Sequence, residues 1–377
     1  MKTSQLVWAD PEGWQGSGDA LPEAQLVFVF GGIDQFESAN WLAPLQRMFP
    51  EALLVGCSTA GEICGTAVND ETVVATAIAF RHTTVQSAMV HMADVSDSAE
   101  AGNTLAAQLP KHNLAHVIVI SDGQQVNGSE LVRGLAADLP EGVHVTGGLA
   151  GDGGRFEKTL ILAGDQPVSG AIVAVGLYGQ AVQVRHGSLG GWDPFGPVRT
   201  ITRSTGNILY EIDGKPALDL YKSYLGEHAS GLPATGLLFP LLIRRKQDVD
   251  PLVRTILNVD EEAGSLIFAG DVPVGADAQL MKTNYDSLVK GASDAAKACL
   301  DNPQDTAPGF ALLISCVGRK LVLKQRIEEE VEAVQSVFGS GTVLTGFYSH
   351  GEICPSATDS SLQLHNQTMT ITTLSEL

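Results

Sequence analysis

Gly346-Phe347-Tyr348-Ser349-His350-Gly351-Glu352-Ile353-Cys354 lies near the C-terminal end of the chain and has an echo far upstream, at Gly56-Cys57-Ser58-Thr59-Ala60-Gly61-Glu62-Ile63-Cys64. Both read G-x-x-x-x-G-E-I-C, and each follows an apolar run, Thr342 to Thr345 or Ala52 to Val55. A weaker third copy, Val145-Thr146-Gly147-Gly148-Leu149-Ala150-Gly151-Asp152, is one residue shorter and ends in Asp. Internal repetition decides a fold before any other signal does. The repeated object here is a strand that ends in a glycine turn followed by a carboxylate.

The repeat extends backwards from each turn. Leu26 to Gly32 and a helix over Ser38 to Met48 precede the first copy. Val117 to Gly123 and a helix over Ser129 to Leu139 precede the weaker copy. Leu312 to Ser315 and a helix over Leu323 to Phe338 precede the last, with Ile327, Val331, Val334 and Phe338 on one apolar stripe. Each unit is strand, glycine loop, helix, strand, turn. Uninterrupted β-branched runs belong to strands covered on both faces. The expectation is an α/β fold of two related regions, built from repeated βαβ-type units with mixed sheets covered by helices. Ligands in such folds sit at strand ends, where glycine lets backbone approach closely.

A chain of 377 residues exceeds one typical core. With 44% hydrophobic and 18% charged residues it is globular. No apolar run is long enough to span a bilayer, and Met1 to Asp19 does not read as a secretory signal. The five cysteines form no C-x-x-C pair, which suits reduced thiols in a cytosol. A formal net charge of −20 argues against a nucleic-acid partner.

In chain order, residues 1–24 read as a loose lead-in broken by Pro and Gly, with Trp8 and Trp14 covering a sheet edge. Glu71 to Phe80 and Thr84 to His91 alternate like the strands of a hairpin. Ser96 to Leu109 reads as a helix; Thr159 to Ala163 and Gly170 to Leu177 read as strands. Val184 to Pro197 is too rich in Gly and Pro for an element, yet it carries His186, Trp192 and Phe195, and a loop of that kind points to function. Asn207 to Pro216 reads as a strand and a D-G turn leading into a helix that stops at Gly226. The boundary falls near Ser204, giving an N-terminal domain over 25–204 and a C-terminal domain over 205–377.

Together G-C-S-T-A-G-E-I, G-W-x-P-x-G at Gly191 to Gly196, Leu209-Tyr210-Glu211-Ile212-Asp213-Gly214-Lys215-Pro216-Ala217, G-F-Y-S-H-G-E-I-C-P and His365-Asn366-Gln367-Thr368 resemble the FIST proteins over nearly the full length. That resemblance implies a cytoplasmic sensor of small ligands acting upstream of signalling enzymes, and it admits a homo-oligomer. The segment H-G-S-L-G-G-W-D-P-F-G is similar to the nitric-oxide-sensing branch, which binds haem and pairs with a histidine kinase. The sequence departs from the family pattern at His350, where an aromatic Tyr is expected.

Two readings of a site follow. A haem b site needs an apolar slot and an axial ligand. His186 leads, with Arg185 and Arg199 near enough in sequence to meet propionates, Trp192 and Phe195 as slot walls, and His350 and His144 next. His112, His116, His82, His91 and His228 read as surface residues, His365 as architectural, and Cys57 and Cys354 as packed thiols that could serve as thiolates. An amino-acid-like ligand would instead meet Glu62 or Glu352 at the turns, with Ser58, Gly61 and Tyr348 beside them. The turns also admit a plain structural role, in which each carboxylate accepts N–H bonds and locks its own turn. They are not phosphate loops, because a Glu stands where Lys-Ser/Thr would be. With no triad spacing, no H-E-x-x-H and no G-x-S-x-G, the chain does not read as an enzyme.

Overall fold

A computed structural model describes residues 1–17, 21–245, 251–300 and 307–377, so residues 18–20 of the lead-in lie outside the described residues. The chain is a mixed α/β protein whose mixed sheets are covered by helices. Three units share one plan. Each opens on a lead strand, Lys2–Ala9, Thr84–His91 or Val182–Leu189. An inner strand follows, Leu26–Gly31, Leu114–Ser121 or Phe310–Cys316. Next comes a parallel outer strand, Leu53–Ser58, His144–Leu149 or Val343–Ser349. A return strand, Val73–Ala79, Ala171–Tyr178 or Met369–Glu376, lies antiparallel between the inner and lead strands.

Between outer and return strands each unit extends a short hairpin, and each hairpin joins the sheet of another unit. Glu62–Cys64 of the first unit pairs with the third unit's outer strand. Gly351–Pro355 of the third pairs with the second unit's outer strand. Ile161–Ala163 of the second pairs with the first unit's outer strand. The exchange is cyclic, so the three units form a closed ring, and the sheets of the second and third units each combine N- and C-terminal strands. The glycine turns close the same ring at its centre. Gly151 N donates to Ser58 O (2.9 Å), His350 N to Leu149 O (3.1 Å) and Ala60 N to Tyr348 O (2.9 Å).

Two-residue alternation explains how uninterrupted apolar strands serve such a body, because successive side chains leave a strand on opposite faces. Phe28 and Phe30, Ile118 and Ile120, and Leu312 and Ile314 all point into one common core. There Phe28 stacks on Phe310 at 6.0 Å and Phe30 meets Phe347 at 4.8 Å, across unit boundaries. Their neighbours Val27 and Val29, Val117 and Val119, and Ala311 and Leu313 face outwards under the helices. The helices are Ile33–Ser38 with Leu42–Met48, then Ser98–Gln108 with Gly128–Asp138, then Tyr285–Ala298 with Val317–Leu323 and Glu328–Phe338.

A fourth, antiparallel sheet covering residues 193–282 is inserted after the third lead strand, with its own core and the helix Ala217–Leu225. Ser204 lies within its first strand, Asp193–Thr205.

Several sequence expectations change. The lead-in carries two strands, Lys2–Ala9 and Gly13–Ser17, because Leu6, Trp8 and Trp14 pack over the first sheet. Val73–Ala79 and Thr84–His91 do not form a hairpin; they belong to different sheets, each the partner of its own unit. The stretch 184–197 is mostly strand. Gly187 permits this, since a Cβ there would overlap the carbonyl of Ala295 on the covering helix.

Candidate functional site

The third unit's exchanged hairpin, Gly351–Pro355 and Leu362–His365, leads through Asn366–Thr368 into the return strand. The glycine run 187–191 packs against this crossing from one side. The insert's hairpin, Leu241–Arg244 and Leu252–Arg254, packs from the other. Between them lies a cleft of about 630 Å³, walled by His186, Trp192, Val253, Met281, Asn366 and Thr368 among others. Among the described residues no Asp, Glu, Lys or Arg lines it.

The polar wall is incompletely paired. Asn366 is fully buried; its Oδ1 accepts from Thr255 N at 3.5 Å, while its Nδ2 has no partner. Leaving a buried amide donor unpaired costs about 1–3 kcal/mol. Next to it, Thr368 Oγ1 donates to Glu352 Oε2 at 2.9 Å and lies 3.4 Å from Thr370 Oγ1, which leaves a lone pair for a further donor.

Glu352 sits behind that wall. It accepts from Ser349 Oγ (2.6 Å), Thr368 N (3.1 Å) and Thr368 Oγ1. Glu62 repeats the arrangement with Thr59 Oγ1 (2.5 Å), Thr72 N (3.1 Å) and Thr72 Oγ1 (2.8 Å). Burial pushes each carboxyl up to about 7, against the pull of these donors. Both carboxylates therefore lock a turn to the start of the next segment, and neither lines the cleft. The remaining residues expected beside them also bond within the protein. Ser58 Oγ donates to Gly151 O (2.8 Å), Gly61 O accepts from Tyr348 N (2.9 Å), and the buried Tyr348 hydroxyl donates to Glu330 (2.6 Å).

In the weaker copy the register of the turns places Gly153 where the other two have Glu, and Asp152 one position earlier. Asp152 accepts from the backbone N–H groups of Phe156, Glu157 and Lys158. His350 Nε2 lies 3.4 Å from it, with the imidazole stacked on Phe156 at 4.5 Å. Burial lowers the basicity of His350, and Asp152 opposes this.

Of the residues expected to hold haem, the structure joins His186 to His144, Nε2 to Nδ1, at 2.8 Å. The other nitrogen of His186, Nδ1, lies 3.6 Å from Cys354 Sγ. Burial, then the neighbouring His144, depress His186 to about 4. Trp192 reaches the cleft wall, donating to Gln367 O at 3.1 Å. Phe195 instead packs into the inserted sheet, Arg199 pairs with Asp213 at 3.0 Å, and Arg185 lines cavities other than the cleft. His116, expected at the surface, is buried beside the histidine pair, with Nε2 2.9 Å from Thr146 Oγ1. Cys57 and Cys354 are buried thiols pushed up by burial.

Haem needs a free imidazole nitrogen and, for its two propionates, cations or donors. Both nitrogens of His186 are engaged and no cation among the described residues lines the cleft, so the described residues do not fit haem there. Among the described residues no group of three or more His, Cys, Asp or Glu is placed to hold a metal ion.

Residues 25–215 match the FIST N domain and residues 217–355 the FIST C domain, so the chain belongs to the FIST family, whose domains are small-ligand-sensing signalling domains. It is 26% identical over 210 residues to the uncharacterized protein MJ1623 of Methanocaldococcus jannaschii, covering 52% of this chain and 40% of that protein. The chain thus spans well under half the length of that curated relative. A crystal structure of cyanuric acid hydrolase from A. caulinodans covers 98% of its own chain and 100% of this one, at 10% identity and a TM-score of 0.36, too distant to carry an argument. Among the described residues no helix is long and apolar enough to cross a membrane.

Proposed function

We propose that this protein senses a small uncharged molecule bound in the cleft between the third unit and the inserted sheet, and passes its occupancy to a signalling partner. The observation that carries this is Asn366, a buried amide donor without a partner on the wall of a roomy cleft. A ligand carbonyl or hydroxyl would accept from Nδ2, Thr368 would accept from a ligand donor, and Trp192, Met281 and Val253 would cover an apolar face. An uncharged ligand suits a wall that has no ionised side chain among the described residues, since an unpaired charge there would be desolvated without compensation. The histidine kinase that the resemblance implies is the partner to test once a ligand is known.

The test is a thermal-shift screen of the full chain with uncharged amides, amino acids and haemin, because a ligand that binds the native state alone raises apparent stability. The expected result is stabilisation by an uncharged compound that is lost in Asn366→Leu. Saturable uptake of one haem per chain, with no response to uncharged compounds, would overturn this reading.

A further inference from the structure

The three lead strands are equivalent in topology but not in cover. Lys2–Ala9 of the first unit takes Gly13–Ser17 on its outer side. Val182–Leu189 of the third ends its sheet, and its His186 is bonded to His144 of the second unit. Thr84–His91 of the second has the return strand Ala171–Tyr178 on one side and, among the described residues, no strand on the other. Its outward groups can be named. Met92 N donates to Gly170 O at 2.7 Å, continuing the register that sets His91 opposite Ala171. Even-numbered residues therefore turn their N–H and C=O towards the return strand, and Val85, Ser87, Met89 and His91 turn theirs away. The register runs through the whole strand without a bulge.

Edges are ordinarily blunted by charge, proline or a bulge, and this one has none of them. No Asp, Glu, Lys, Arg or Pro occurs in Thr84–His91, and Thr84, Gln86, Ser87 and Met89 are exposed. Such an edge accepts a further strand. The nearest charges stand at its two ends and are opposite in sign. Arg81 is exposed just before the strand and Asp94 just after it, and among the described residues neither has an ion-pair partner. Glu376 accepts from the backbone N–H groups of Arg81 (2.8 Å), His82 (2.9 Å) and Thr83 (2.9 Å), which fixes the first end and leaves the Arg81 side chain outside. Two copies of a chain with a formal net charge of −20 repel at long range, so they meet best where local charges complement each other.

We infer that Thr84–His91 is a dimer edge, pairing antiparallel with the same strand of a second copy about a two-fold axis normal to the sheet. Residues directly opposite each other share a face, so odd positions must meet odd positions. An axis at Ala88 satisfies this and mates every outward group, Val85 with His91 and Ser87 with Met89. Ala88, small and buried, meets its own copy at the axis. The same operation carries Arg81 of each copy towards Asp94 of the other. A parallel pairing would instead set Arg81 beside Arg81, so the charges select the antiparallel, isologous contact. The dimer edge is independent of the cleft and its ligand.

The experiment is sedimentation velocity of the full chain from micromolar to submillimolar concentration. An interface this small predicts a dimer that dissociates on dilution. Ser87→Pro removes an outward N–H and no bond within the chain, so the fold tolerates it, and the dimer should weaken by about ten-fold or more. Met89→Lys changes only an exposed side chain, blunts the same edge, and serves if the proline variant melts early. Arg81→Asp should weaken the dimer as well, and Arg81→Asp combined with Asp94→Arg should restore it, a rescue that only paired copies can show. A monomer at every concentration would overturn the assignment and leave the edge to a strand of another protein. A dimer as tight in Met89→Lys and in folded Ser87→Pro as in wild type would overturn it too, and place the contact elsewhere.

Discussion

His186 Nε2 and His144 Nδ1 stand 2.8 Å apart, linking the third unit's lead strand to the second unit's outer strand. For two neutral rings this is a good hydrogen bond, one donating and the other accepting. With both protonated it becomes a repulsive contact between units, and His116 lies within the same field.

His116 gives the cleanest reading of that cost. Burial, then His186 and His144, lower it from 6.5 to about 3. A depressed histidine contributes stability that is present above 6.5 and lost as pH falls towards 3. The advantage of wild type over His116→Gln should therefore shrink by about 1.4 kcal/mol per pH unit between pH 6.5 and 4. Urea unfolding across that range measures it, and a gap that does not change with pH would contradict the burial-driven shift.

Glu352 has the opposite sign. Its carboxyl is raised from 4.5 to about 7 by burial. Its stabilising protonated form is complete below 4.5 and is lost as pH rises through 7. Glu352→Gln, neutral at every pH, should gain on wild type by about 3 kcal/mol in total between pH 4.5 and 8. Denaturation at pH 5 and pH 8 suffices. A pH-independent difference would mean that the carboxylate stays ionised in the turn.

The repeated units were legible because each outer strand needs a residue without a side chain beside its inner strand. A Cβ on Gly56, Gly147 or Gly346 would overlap the carbonyl oxygen of Val29, Val119 or Leu313. That demand writes itself into the sequence as a spaced glycine. Pairing does not. Glu71 to Phe80 and Thr84 to His91 look like a hairpin because alternation marks a strand and not its partner. Exchange of Glu62–Cys64, Ile161–Ala163 and Gly351–Pro355 between units leaves no local signal either. Of the cleft, the sequence marked the stretch that supplies His186 and Trp192 but not the wall opposite it. Asn366 lies in a short polar run between two strands, and only the insert packing over it makes it a buried donor.

The same glycines give a mutational test. Gly346→Ala should destabilise the protein by more than about 3 kcal/mol, because Leu313 O belongs to a strand that cannot withdraw. Gly341→Ala, in open space a few residues earlier, should change stability by less than about 0.5 kcal/mol. Thermal melts of the pair decide it, and equal melting temperatures would break the argument for the repeat.

Arg319 and Glu330 form an ion pair with no solvent contact, Nη2 to Oε2 at 2.6 Å. Glu330 also accepts from Ser315 (3.0 Å) and Tyr348 (2.6 Å), and Arg319 donates to Gly190 O and to Leu288 O (2.8 Å). The network thus ties the helix Glu328–Phe338 to the third turn and to the glycine run beside the cleft. Removing one partner leaves a charge buried alone, so Arg319→Met should cost about 3–5 kcal/mol. Arg319→Met with Glu330→Gln removes both charges and should recover part of that loss. A double-mutant cycle in urea measures the coupling. Strict additivity would show that the two side chains do not stabilise each other, and that the glycine run is held by its backbone contacts alone.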